Sequence, residues 1–251
     1  MTTLIVGASG ATGSLVVNQL LDKGVNVRVI VRSPDKIPDT WKNSDMVHII
    51  YASISEIGAD DMAKYVEDCD AVVSCLGHNL SFKGIYGKPR RLVTNVVRNL
   101  CEAIKKRKAI SKPVKFVLMN TTGNRNKNLQ EPISPAHKMA IALIRLLLPP
   151  HVDNEKAAEY LRVELGQNDR SIAWVAVRPD SLINASVVSA YEVHPSPTRN
   201  PIFDAGTTSR INVANFMAEL LTRNELWEKW KGQMPVIYNK PDIDRNSALR
   251  K

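Results

Sequence analysis

Three glycines stand three apart in Val6-Gly7-Ala8-Ser9-Gly10-Ala11-Thr12-Gly13, with the hydroxyls of Ser9 and Thr12 between them. Such a turn can cradle an anion. Gly7 permits a tight turn, Gly10 lets the backbone approach a pyrophosphate, and Gly13 allows a helix to pack closely on a strand. N–H groups at the start of the following helix then face the anion, and the helix dipole favours its charge. Arg32 lies 19 positions after Gly13, with Ser33 and Lys36 just beyond. At this distance, ~20 residues past the glycines, an acidic residue binds the ribose hydroxyls of NAD. A guanidinium fork and an ammonium suit a 2′-phosphate instead, which a carboxylate would repel. The chemistry implied is binding of NADP(H) in preference to NAD(H). The plainer alternatives are an ordinary strand–helix turn and an arginine that caps a strand end in solvent.

The elements around these residues follow from hydropathy. Thr3–Val6 is a short apolar run suited to a strand buried on both faces. Val16, Val17, Leu20 and Leu21 recur at helical spacing, and Gly24 follows where a helix stop belongs. Further strands are predicted at 25–31, 48–51, 71–75, 114–119 and 172–177. Between Arg90 and Lys108 the pairs Leu92/Val93, Val96/Val97 and Leu100/Cys101 give a long amphipathic helix. Thr121 and Thr122 directly follow a strand, so their hydroxyls face the crevice at its carboxyl end, unless they only cap the turn.

Composition fits a globular chain with a full core. Of 251 residues, 44% are hydrophobic, and no run of 18 apolar residues could span a membrane. The first strand begins at residue 3, which leaves no room for a leader and predicts a cytoplasmic protein. Cys69, Cys75 and Cys101 form no CxxC pair and read as reduced core thiols. The net charge of +9 suits an anionic ligand. Its densest run, Lys105 to Lys108, ends a helix and lacks an aromatic platform, which argues against nucleic acid. The five histidines stand apart, so no metal site is expected, and no GxSxG elbow supports a hydrolase.

The chain resembles the atypical short-chain dehydrogenase/reductases, especially their NmrA-like and flavin-reductase-like branch. The resemblance is carried by GASGATG at the N-terminus and by the blocks beginning at Val29, Ser74, Asn120, Arg178 and Arg210, in family order. It implies an α/β, Rossmann-type doubly wound parallel sheet of order 3-2-1-4-5-6 with an additional strand. One domain, 1–251, would carry variable substrate-cover segments at about 183–210 and 223–251. By the same resemblance Ser53, Cys75, Leu76 and Gly77 line the adenine–ribose side. Arg178, Pro179, Ser181 and Leu182 bring backbone groups near the nicotinamide, and Tyr191 and His194 are candidate substrate contacts. Pro235 to Tyr238 suggests a last edge strand, and Trp227 and Trp230 pack the C-terminal region or form a homodimer contact.

The family pairs Tyr-x-x-x-Lys on a helix, the lysine holding the nicotinamide ribose and lowering the tyrosine pKa. Here Pro149-Pro150 breaks a helix, Asp153 is a plausible N-cap for the next, and Lys156 fits the lysine position. Val152 occupies the tyrosine position. Tyr160 lies eight residues on, roughly 12 Å along a helix, and cannot substitute. His151, beside the vacancy, is the candidate proton donor, with Thr121 or Thr122 polarising the substrate. Two functions stand: NADPH-dependent hydride transfer to a carbonyl, quinone or flavin-like acceptor, and a noncatalytic NADP(H)-sensing regulator that binds a protein partner.

Overall fold

The apolar, β-branched segment Thr2–Val6 forms β1, an interior strand of an eight-stranded sheet. The computed structural model describes residues 1–79, 81–107, 112–131 and 133–241, and of Lys83 the backbone alone. Lys108 of the basic run and the charged tail beyond residue 241 lie outside the described residues.

The chain runs from β1 through α1 (Gly13–Leu21), β2 (Asn26–Val31), α2 (Asp39–Lys42), β3 (Val47–Tyr51) and α3 (Ala59–Val66) to β4 (Ala71–Ser74). Next come α4 (Phe82–Tyr86), α5 (Leu92–Lys105), β5 (Val114–Met119), α6 (Pro135–Leu147), α7 (Pro149–Glu159) and β6 (Ile172–Pro179). The last stretch holds β7 (Ser181–Ile183), β8 (Tyr191–His194), β9 (Thr207–Ser209), α8 (Arg210–Thr222), α9 (Asn224–Trp230) and β10 (Val236–Asn239). The sheet order is β3-β2-β1-β4-β5-β6-β10-β8, with β7 and β9 forming a separate pair. All neighbours in the large sheet are parallel except β8, which runs against β10. This is the doubly wound Rossmann architecture, with the expected order at its centre.

Two departures concern the far edge. The run at Val236–Tyr238 is interior, because β10 is flanked by β6 on one side and β8 on the other. Tyr191–His194, expected within a substrate cover, is the edge strand itself, with all four residues half-buried.

Helices cover both faces because every central strand is apolar on both. One face packs α3, α5 and α7 over Leu4, Val72, Phe116 and Trp174. The other packs α1, α8 and α9 over Ile5, Val29, Val117 and Val175. Trp227 and Trp230 are each 3% exposed within that second core, which removes them as a dimer contact.

Two residues of the basic run are tied to their own surface. Lys105 Nζ lies 2.8 Å from Asp169 Oδ2, and Arg107 Nη1 donates to the Cys69 carbonyl at 2.7 Å.

Candidate functional site

The glycine turn closes on itself. Gly10 N–H donates to the Gly7 carbonyl at 3.0 Å, and Gly7 has φ +77°, in the left-handed region. A Cβ on Gly7 would lie 2.6 Å from the Cys75 carbonyl, and one on Gly13 would overlap the Gly7 carbonyl oxygen. Those two glycines serve internal packing. Gly10 differs: its Cβ would meet only the Gly7 oxygen at 3.2 Å, so its outer side is open. Thr12 precedes α1 without a side-chain cap, Gly13 begins the helix, and no acidic residue occupies the first turn. Ala11 is exposed at the bend.

The turn opens onto a crevice of about 460 Å³ at the carboxyl ends of β1, β2 and β4. Gly7, Ser9 and Gly10 form its floor, and Arg32, Lys36 and Ser53 form one wall. Cys75, Leu76 and Gly77 form another. Arg32 and Lys36 are exposed, and neither has a carboxylate within 4 Å among the described residues. The lip of the crevice is therefore cationic. Burial pushes the Cys75 thiol up to about 12, so it is an inert wall.

A crevice residue that the sequence gave no reason to single out is His78. Its Nε2 lies 2.7 Å from Asp153 Oδ2, and both side chains are almost fully buried. Asp153 does not cap its own helix, which begins at Pro149 as N-terminal prolines favour. It reaches across to α5 instead, accepting the N–H groups of Val93 and Thr94 at 2.8 and 3.0 Å and the Thr94 hydroxyl. The link fastens the segment after β4 to α7. Tyr86 adds a second tie, donating to the Leu147 carbonyl at 2.9 Å. The one local signal for His78 was its place immediately past a strand's carboxyl end.

At the end of β5, Asn120 organises the turn. Its Oδ1 accepts the Thr121 N–H at 2.8 Å and an N–H of Asn124, while Nδ2 donates to the Asn154 carbonyl at 3.0 Å. The contact turns the Asn154 face of α7 toward the strand ends. His151 shares that face, and a Cβ on Gly123 would stand 3.1 Å from its Cε1, beside Thr121 Oγ1. His151 Nε2 lies 3.5 Å from Glu155 Oε1, and Arg145 grips the same carboxylate through two 2.8 Å bonds. Burial alone would raise the Glu155 pKa. The neighbouring His151 and Arg145 outweigh it and hold the carboxyl at about 2.

Lys156 is not in this group. Two residues beyond Asn154 on a helix means a rotation of about 200°, and its side chain is exposed to solvent. Thr122 also turns aside. It is buried, and its hydroxyl donates to Asp180 Oδ1 at 3.1 Å on the opposite side of the loop. Burial raises the Asp180 pKa against the hydrogen bonds from Gly206 and Thr122.

Arg178 is corrected as a cofactor contact. Its backbone N–H is taken by the Pro235 carbonyl, and the side chain is wholly buried. All five of its donors are used: Nε on Met234 O, Nη1 on Asn124 O and Glu131 Oε2, Nη2 on Glu131 Oε1 and Pro195 O. It is a tie between β6 and three loops. The Pro179 carbonyl accepts the Thr122 N–H, and Ser181 and Leu182 belong to the β7–β9 pair, with the Ser181 N–H donating to the Gly206 carbonyl at 3.0 Å. Tyr191 donates to Asn215 Oδ1 at 2.9 Å and its ring meets Phe216, while His194 lies 3.3 Å from Glu192. Pairing of β8 with β10 puts both on the edge strand of the sheet.

The crevice, the glycine turn and the sheet define a nucleotide-binding protein, and the chain matches the NAD(P)H-binding family over residues 7–224. It belongs to that family. An uncharacterised chloroplastic protein of Arabidopsis thaliana is 27% identical over 222 residues, covering 88% of this chain and 72% of the relative. A short-chain dehydrogenase/reductase of Veillonella parvula, solved with NADP, superposes with a TM-score of 0.66 at 14% identity, over 96% of this chain and 95% of that one. An anaerobilin reductase of Escherichia coli gives 0.66 at 15% identity, over 97% and 98%. The last two likenesses concern the fold. No helix among the described residues is long and apolar enough to cross a membrane.

Proposed function

We propose that this protein binds NADP(H) in the crevice and reduces a carbonyl, quinone or flavin-like acceptor. The observation that carries the reading is the pair Arg32 and Lys36, cationic and free of carboxylates among the described residues, at the lip of the crevice that Gly10 leaves open. A 2′-phosphate would balance both charges, whereas NAD(H) would leave them unused. When bound, the nicotinamide supplies a hydride. The chain supplies the rest: Ser9 and Gly10 would hold the pyrophosphate, Ser53 and Cys75 to Gly77 would enclose the adenosine, and Thr121 presents a hydroxyl at the strand end. His151 is the group suited to deliver a proton, since it stands beside Thr121 and Gly123 with Glu155 behind it.

The test is NADPH oxidation with a quinone, a free flavin and an aromatic aldehyde offered in turn. Turnover is expected with at least one, and His151→Gln should lower kcat at least tenfold without changing NADPH affinity. Unchanged kcat in that variant would remove His151 from the chemistry.

A second reading is favoured by one specific observation. Lys156 faces solvent and Val152 stands where a catalytic tyrosine belongs, which suits a noncatalytic NADP(H) sensor of the NmrA-like type. Such a protein would bind NADPH, oxidise none of it with any acceptor, and change its affinity for a protein partner with the nucleotide's redox state. The compartment fitting either reading is a reducing one. Its three cysteines are free, and the Arabidopsis relative is chloroplastic, so a plastid stands beside the cytoplasm.

A further inference from the structure

Behind the β5 turn, on the Thr122 side, lies a second cavity of about 330 Å³, a size suited to a small organic molecule. It is built from the start of α6, the 125–131 loop and the 197–204 loop. Two of its nitrogen atoms are buried without a hydrogen-bond partner: His137 Nε2 and Arg125 Nε. His137 is 6% exposed, and an orphaned buried polar atom is costly unless a ligand or water completes it. Its place in the first turn of a 13-residue helix adds the favourable end of the dipole, and that turn holds no acidic residue.

The charges decide what the cavity would accept. Glu131 is neutralised by Arg178, and Arg199 is paired with Asp204. Arg125 donates to the Glu131 main-chain carbonyl but has no carboxylate partner among the described residues. Burial, followed by the Arg125 charge, lowers the His137 pKa and favours the neutral ring, whose partnerless Nε2 donates to an anion in the tautomer that carries its proton there. One uncompensated cation and one neutral donor match a monoanion. A dianion would carry excess charge beside Glu131 and Asp204.

We infer that this cavity binds the carboxylate of a small organic acid, held by Arg125 and His137.

The experiment titrates the full chain with benzoate, benzamide and phenylphosphonate. Binding is read from the Cε1–H signal of His137 in histidine-labelled protein, assigned by its loss in His137→Gln. Benzoate is expected to shift that signal saturably, with benzamide at least tenfold weaker. Arg125→Gln should weaken benzoate at least fivefold, and Arg125→Lys, which keeps the charge and guards against a loop defect, should weaken it less. Equal responses to benzoate and benzamide, tighter binding of phenylphosphonate, or wild-type affinity in Arg125→Gln would each overturn the assignment. NADPH affinity is measured on the same sample. Benzoate binding without NADPH binding upholds the carboxylate site and sinks the oxidoreductase reading, whereas NADPH binding without any benzoate response overturns the carboxylate site alone.

Discussion

Glu131→Gln removes the one negative charge that balances Arg178, a guanidinium with no exposure at all. Breaking a buried pair from one side costs 3–5 kcal/mol, roughly, because the remaining charge is left uncompensated. Three of the five Arg178 donors go to the carbonyls of Met234, Asn124 and Pro195, which the substitution leaves in place. A glutamine oxygen can also keep one of the two carboxylate bonds. The loss should therefore sit at the low end, about 3 kcal/mol, which for a chain of this size lowers Tm by roughly 6–12 °C. Urea unfolding reads this directly, since Trp41, Trp174, Trp227 and Trp230 are all buried and report through fluorescence. The exposed Arg199–Asp204 pair is the control, and Asp204→Asn should leave the midpoint where it was. If Glu131→Gln behaves like Asp204→Asn, the picture of Arg178 as the tie between the sheet and the 124–131 loop is wrong.

The glycines should separate by substitution. Gly13→Ala forces a Cβ into the Gly7 carbonyl and is expected to abolish soluble, folded protein, whereas Gly10→Ala should fold yet lose NADPH affinity at least tenfold by calorimetry. Folded, NADPH-competent Gly13→Ala would contradict the packing role. Acid stability should depend on Glu155, whose folded pKa of about 2 lies below its unfolded value near 4.5. A depressed carboxyl stabilises above the unfolded pKa and loses that contribution as pH falls through the folded one, so the window runs from about 4.5 down to 2. The full term is up to about 3 kcal/mol. Glu155→Gln should flatten this limb in denaturant titrations, and an unchanged limb would mean that His151 and Arg145 do not hold the charge.

What the sequence made legible is what local pattern encodes. The strand–glycine–helix unit, the five parallel core strands and the long helix at 92–105 follow from periodicity and turn chemistry over short windows. The cationic lip was readable because Arg32 and Lys36 lie at a fixed distance from the glycines. Residues whose roles depend on distant partners were not readable. Asp153 has the local signature of an N-cap, yet its carboxylate serves a helix start 60 positions earlier. Arg178 sits in a block that resembles a cofactor contact, and its partner Glu131 lies 47 residues upstream. Lys156 fitted a motif position by count, but the phase of α7 is set by Pro149 and by the Asn154 contact with Asn120, and that phase turns it outward. Tyr191 and His194 looked available in a prolyl segment until pairing with β10 absorbed them.

The most direct test of the account is calorimetric titration of wild-type protein and Arg32→Ala with NADPH, NADP+, NADH and NAD+ under identical conditions. The expected result is micromolar binding of both phosphorylated nucleotides to the wild type and much weaker binding of the other two. In Arg32→Ala the NADPH affinity should fall by roughly 1.5–3 kcal/mol while that for NADH stays nearly unchanged. Equal losses for both nucleotides, or no binding of any of the four to the wild type, would contradict it.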